Sequence, residues 1–378
     1  MPSAEISDRE LRLLRMRSQG LLDGSRSATV AAATKSAFCL QAQDVGAAAL
    51  AARARTEGLT AAQVAAHGRR TALCRAWLMR NTIHLFTARD HAWMRPLLAP
   101  RARRPAIARL RQLGVDDALL ERALKALRKR IESGPLPRSE ALELVRAQEF
   151  DPDSAARSAA GRRTLARDGS NPVYWVVHVA ALDGILVVRP AFDRKQAFEP
   201  APEPEVLDRD DGLGRLARRY LQAYGPASPR DFAYWGKITL GDARRGWERA
   251  GRLVDVETSR GTLSALPGTL KPVEDRRTHV HLLGLWDNYL LGHEGRELIV
   301  PRPAAGWIHP GGGLLKATAF ADGLAFGTWR LDRGESSITV EVEIFDKVPR
   351  GARAGLEAEV ADLSRFFDAA ARLKLVRP

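Results

Sequence analysis

Trp77-Leu78-Met79-Arg80-Asn81-Thr82-Ile83-His84-Leu85-Phe86 decides how the first part of this chain is read. Arg80-Asn81 is a turn candidate with β-formers after it, so the segment reads as a short hairpin. Upstream, Gly58 to Ala65 reads as a turn with Thr60 capping a short helix, and a further helix near Arg70 leads into the hairpin. Still further upstream, the Ala-rich run Val45 to Arg55 reads as a helix with Asp44 as its N-cap.

Helix, turn, helix and hairpin is the order of a winged helix, and the order recurs. Asp116 to Ser133 is a strongly amphipathic helix; Gly134 to Glu140 restarts a helix with Ser139 as a cap; Pro172 opens another; Gly184 to Val188 is a buried strand. A third copy runs through a helix at Leu213 to Tyr224, a restart at Gly225 to Phe232, a helix at Asp242 to Ala250 and a strand at Leu253 to Glu257. Such self-similarity argues for tandem copies of one unit. Phe198 to Pro204, rich in Pro and Glu, reads as a linker or an exposed strand end. From His279 onward Gly turns and β-formers dominate, with a strand at Ser337 to Phe345 and a terminal amphipathic helix at Arg353 to Leu373. The expected fold is therefore α+β, with winged helices over 1–87, 88–205 and 206–272. A β-rich domain, a small antiparallel sheet or barrel, follows over 273–378.

Just ahead of Asp44 stands Gln41-Ala42-Gln43. On an extended segment, residues two apart point the same way, so a helix start at Asp44 lets both carboxamides face one space. Each amide offers an acceptor and donors, and two aimed at one point can hold a water. The plainer alternative is a pair of surface polar residues at a helix junction.

At 378 residues, with 45% apolar and 28% charged content, the chain is long enough for several soluble modules. A formal charge of +14, carried mostly by Arg, makes nucleic acid the first partner to consider. Cys39 and Cys74 have neither disulfide nor metal-ligand spacing, and a reducing compartment is the default. The start of the chain has no apolar leader, and no stretch is long and apolar enough to span a bilayer. His279 and His281 lack a third ligand, so no metal is expected. Gly311-Gly312-Gly313 lacks the Lys of a phosphate loop, so no nucleotide cofactor is expected either.

Four stretches together carry a family resemblance: Leu40-Gln41-Ala42-Gln43; Trp77 to Leu85; Leu285-Trp286-Asp287-Asn288-Tyr289-Leu290-Leu291-Gly292-His293; and Gly327-Thr328-Trp329-Arg330. In content and order they resemble the AlkZ-type winged-helix family of bacterial DNA glycosylases, over nearly the whole chain. The resemblance implies a C-shaped protein of tandem winged helices with a C-terminal β-barrel. It implies removal of bulky N7-alkylguanines, antibiotic adducts and crosslinks included. The family's catalytic Gln-apolar-Gln motif is matched by Gln41 and Gln43. Two departures stand out. Asn81 replaces the Gly common after the Arg of the second motif, and Trp286 replaces a Phe or Tyr before the acidic residue of the third.

The chemistry agrees with the residues. N7-alkylation puts a positive charge on the guanine, so the base leaves without needing a proton from an acid. A positioned water and stabilisation of an oxocarbenium-like sugar suffice, and amide oxygens supply both. Asp44 could add a carboxylate, but capping is its favoured role. DNA contacts are expected from Arg75, Arg80, Asn81, Thr82 and His84, and from Arg101, Arg103 and Arg104. His84 reads equally as a hydrogen-bonded core histidine, and the arginine cluster equally as a solvated face. Asp287, Asn288, His293, Trp329 and Arg330 are supporting candidates.

A monomeric enzyme acting on double-stranded DNA in the bacterial cytoplasm, associated with the nucleoid, is the leading expectation. A non-catalytic winged-helix DNA-binding protein or transcription regulator accounts for the charge and the repeats but not for the glutamine pair. A protein-interaction scaffold fits the charge less well.

Overall fold

The structure is a computed structural model that describes residues 5–70, 72–148, 171–190, 196–274, 277–334 and 337–377. The chain packs as two compact units, one of Met1–Thr71 and Arg209–Pro378 and the other of Ala72–Asp208. Residues 149–170 of the expected second block lie outside the described residues.

The first unit begins with α1 (Asp8–Ser18), α2 (Val30–Ser36), the two-residue strand β1 (Leu40–Gln41), α3 (Val45–Arg55) and α4 (Ala61–Arg70). Asp44 caps α3 as expected: its carboxylate accepts the Ala47 N–H at 2.7 Å. Thr60 and Gln63 form a reciprocal capping box, with bonds of 3.2 and 2.9 Å, and α4 runs on unbroken to Arg70. The expected short helix and further helix are thus one.

The second unit contains β2 (Leu73–Trp77), β3 (Ile83–Thr87), α5 (Ala88–Gln112), α6 (Asp117–Ile131), β4 (Leu136–Pro137), α7 (Arg138–Arg146), α8 (Pro172–Leu182), β5 (Leu186–Val188) and β6 (Ala197–Pro200). Its strands are neighbours in the order β3, β2, β5, β6, β4, all antiparallel. The expected hairpin is β2–β3, with Trp77 opposite Ile83. Arg80 and Asn81 at its tip both have φ of 54°. Two successive residues in the left-handed region make the kind of turn whose twist suits a hairpin. Ser139 does not cap α7. The cap position is Pro137, which has no side-chain acceptor, and Ser139 sits inside the first turn. The Pro/Glu run begins as a strand, β6, rather than as a linker.

Back in the first unit follow α9 (Arg209–Tyr224), α10 (Pro229–Gly236), α11 (Leu240–Glu248), the hairpin β7 (Val254–Val256) and β8 (Leu263–Ala265), and β9 (Val280–Leu283). Then come α12 (Asn288–Leu291), α13 (Ala305–Ile308), β10 (Thr318–Ala321), β11 (Leu324–Arg333), β12 (Ser337–Ile344), α14 (Ala352–Phe367) and β13 (Ala370–Val376). Of the sheet or barrel expected here, the sheet is found, open and ordered β13-β12-β11-β10-β9, and no sheet closes into a barrel among the described residues. The expected helix to Leu373 stops at Phe367, with Asp368 in the left-handed region. The remainder, Ala-Ala-Arg-Leu-Lys-Leu-Val, alternates with the period of a strand and pairs parallel to β12. A parallel neighbour needs a crossover, and α14 supplies it. Leu356, Val360 and Leu363 of α14 and Val340, Val342 and Trp329 of the sheet share one buried cluster, each large side chain worth about 1.5–3 kcal/mol when buried.

Candidate active site

Gln41 ends β1 and is buried, whereas Gln43 is exposed. The two carboxamides therefore have different surroundings. Gln41 Oε1 accepts the backbone N–H of Gln43 at 3.2 Å, which leaves a second lone pair on that oxygen. Asp44 is committed to its capping bond. Just upstream, Phe38 has φ of 68°, a conformation rarely adopted by a bulky side chain. Its ring is clamped between Trp235, stacked at 5.3 Å, and the Arg219 guanidinium at 4.7 Å.

The third motif grips this strand end. Trp286 is also left-handed, with φ of 53°, and its indole N–H donates to Gly313 O at 2.8 Å. Asp287 is the N-cap of α12 and holds Arg55 bidentately at 2.7 and 2.8 Å. Both side chains are almost fully buried, at 1% and 0% exposure. Burial works against the Arg55 charge, but Asp287 outweighs it and raises the Arg55 pKa above its ordinary value. Asn288 Oδ1 accepts the Gln41 N–H at 2.8 Å, and Asn288 Nδ2 donates to Cys39 O at 2.7 Å and to Tyr224 Oη at 2.8 Å. Tyr224 in turn donates to Ala37 O at 3.2 Å. His293 contacts Tyr224 O through Nε2 at 3.0 Å. Burial, and then the charge of Arg15, push the His293 pKa down to about 3, so its ring is neutral at physiological pH.

The fourth motif serves the sheet. Trp329 is buried and donates its indole N–H to Leu283 O at 2.7 Å, while Arg330 points outward and pairs with Glu341 at 2.6 Å. Of the supporting candidates in this unit, Asn288 meets the glutamine strand directly. Asp287 meets the helix that follows it, and His293 meets Tyr224.

In the second unit the expected DNA contacts divide by exposure. Arg75 and His84 are buried; Asn81 is exposed; Arg80 and Thr82 are half-buried. His84 Nδ1 contacts Thr82 O at 3.1 Å and its Nε2 meets Arg80 Nη2 at 3.0 Å, so Nδ1 carries the proton and Nε2 accepts. Burial and Arg80 push the His84 pKa to about 3. This is the environment of a core histidine. Arg101 and Arg104 are exposed on α5, whereas Arg103 is tied bidentately to Asp183 at 2.6 and 3.1 Å. Arg103, Arg111, Lys125, Arg128 and Lys129 line a groove of about 820 Å3 along α5 and α6, with Asp117, Glu121 and Glu132 interspersed.

Sequence reasoning missed Tyr224 and Arg55. Nothing local marks Tyr224. Arg55 did leave a signal, since a charge at the end of an Ala-rich helix that packs inward must find a buried partner. Among the described residues no three His, Cys, Asp or Glu side chains gather as a metal-binding set. No helix among them is long and apolar enough to cross a membrane.

Comparison with known proteins agrees with the motifs. The family model described as "DNA glycosylase AlkZ-like" matches residues 34–366. The DNA glycosylase AlkZ of Streptomyces sahachiroi has a similar structure, with a TM-score of 0.77 and 21% identity, over 99% of this chain and 100% of that one. At that identity the likeness speaks for the fold. None of the curated proteins matches.

Proposed function

Because the chain belongs to the AlkZ-like DNA glycosylase family, we propose that it is a monofunctional glycosylase that hydrolyses the N-glycosidic bond of N7-alkylated guanine in duplex DNA, bulky and crosslinked antibiotic adducts included. The observation that carries the reading is the uncharged strand end. Gln43 is exposed just ahead of a capped helix, and Gln41 is buried, its backbone N–H donating to the Asn288 side chain. The bond from C1′ to N9 breaks, and its electron pair neutralises the cationic base. Water adds to C1′ and one proton passes to solvent. No general acid is needed for such a leaving group, and amide oxygens turned to the sugar stabilise its positive charge. Glycosidases of neutral sugars use carboxylates for these tasks because their leaving groups are poor.

Gln43 is assigned to the water and the sugar, and Gln41 to orienting Gln43 through its side-chain oxygen. Asn81, Arg101 and Arg104, being exposed, and Arg80 and Thr82 at the hairpin tip, are assigned to phosphate contact. Arg75 and His84, being buried, are assigned to supporting the β2–β3 hairpin. Three tandem winged helices followed by a β-rich domain, a monomer, and residence with the bacterial nucleoid complete the proposal. The test is base release from a duplex with a single N7-methylguanine, read as alkali-labile strand scission. Release by the wild type but not by a Gln41→Ala, Gln43→Ala variant is expected. A wild type that binds duplex DNA yet leaves this lesion, bulky adducts and crosslinks intact would be a non-catalytic DNA-binding protein instead.

A further inference from the structure

We propose that Asn288, seated against Tyr224, is the positioning residue for the glutamine pair: it holds the strand that carries Gln41 and Gln43 in the register that base release requires. The proposal rests on the reading of those glutamines as the reacting groups. Its geometry is specific to a carboxamide. One Asn288 side chain accepts from Gln41 N–H at 2.8 Å and donates to Cys39 O at 2.7 Å. Those are the two bonds that a neighbouring strand would make with this backbone. The second N–H of the same amide goes to Tyr224 Oη at 2.8 Å, and Tyr224 Oη–H goes on to Ala37 O at 3.2 Å. These bonds fix which end of the amide is oxygen. All members are buried, with Asn288 at 2% and Tyr224 at 0% exposure, so an unmet donor or acceptor here has no water to replace it.

The adjacent residue extends the grip. Asp287 holds Arg55, the last residue of α3, while Asn288 holds the backbone at 39 and 41. Two consecutive side chains thus fasten the stretch on either side of Gln43, which is itself exposed. An exposed reacting group keeps its geometry only through its support, and misplacement by about 1 Å can lower a rate by about 10²-fold.

Asn288→Ala is expected to lower single-turnover base release by about 10²-fold while DNA affinity stays within about twofold. Asn288→Asp gives a readout that a merely structural role would not. As a carboxylate it has no hydrogen for Cys39 O and is expected to be slow. Protonated, it can again donate to Cys39 O while accepting from Gln41, so its rate relative to wild type should climb as pH falls. The charged and titratable groups around it are Arg55, Asp287, Cys39, Tyr224 and His293. Of these His293 stays neutral above about 3, so a rise between pH 8 and pH 5 belongs to the introduced carboxyl. Tyr224→Phe, which keeps the ring and loses both bonds of the hydroxyl, should be slowed about tenfold.

Wild-type release by the Gln41→Ala, Gln43→Ala variant would overturn the reading of the pair itself. Glutamine variants that are dead beside an Asn288→Ala variant of wild-type rate would overturn the positioning role alone. So would an Asn288→Asp variant whose deficit is the same at every pH.

Discussion

Two of the four motif stretches of this chain are held in opposite ways. In the strand end at Leu40–Gln43, the Gln41 N–H donates to a side chain 247 positions away in sequence. The hairpin tip at Arg80–His84 closes on itself through the contacts of Arg80 with His84, His84 with Thr82, and Thr82 with Met79. The difference suits two tasks. A group that must meet a reacting atom needs its position fixed by the whole fold, whereas a tip that meets a phosphate backbone needs only its own shape. Chemistry at the first stretch and grip at the second should therefore respond to different mutations.

The largest expected effect is on the support of the first stretch. Asp287→Ala leaves Arg55 charged and buried without its partner, and removing one member of a buried pair costs roughly 3–5 kcal/mol. A urea midpoint that barely moves would show that the anchor is dispensable. The next effect tests whether the two regions share one response to acid. His84 in the hairpin and His293 behind Tyr224 both have pKa values near 3, and His91, His178 and His281 are held near 4, in each case chiefly by burial. The unfolded chain takes up a proton at each near 6.5 while the folded chain does not, so stability is full above pH 6.5 and falls as pH drops towards 4. For His84 alone the loss from pH 6.5 to 5 is up to about 2 kcal/mol. Urea melts at pH 7.5 and 5.0 check the sign, and His84→Gln should flatten the slope. The smallest effect separates the arginines of α5. Arg104→Ala should weaken binding to all duplex sequences and lower the salt slope by about 1. Arg103→Ala, already neutralised by Asp183, should change that slope less.

What was legible in the sequence follows the same division. Local chemistry showed through: the cap at Asp44, the capping box at Thr60, the turn at Arg80-Asn81 and the helix opened by Pro172 all stand where their residues placed them. The tail misled because Ala, Leu and Arg serve helices well, and a seven-residue alternation after Phe367 was too short to compete with the preceding pattern. Gln41-Ala42-Gln43 was visible as a motif, but its asymmetry was not. Nothing within a few residues says that Gln41 is buried beneath the bonds of Asn288 while Gln43 is exposed. Tyr224 was invisible for the same reason, since its role exists only once α9 lies beside β1 and α12.

The role of Gln43 is tested most directly by the single-turnover rate of base release for Gln43→Ala, measured alongside its affinity for the same N7-methylguanine duplex. The rate should fall by about 10²-fold or more with affinity within about twofold, since the exposed amide acts on the transition state and not on the grip. Equal loss of rate and affinity, or an unchanged rate, would contradict that role.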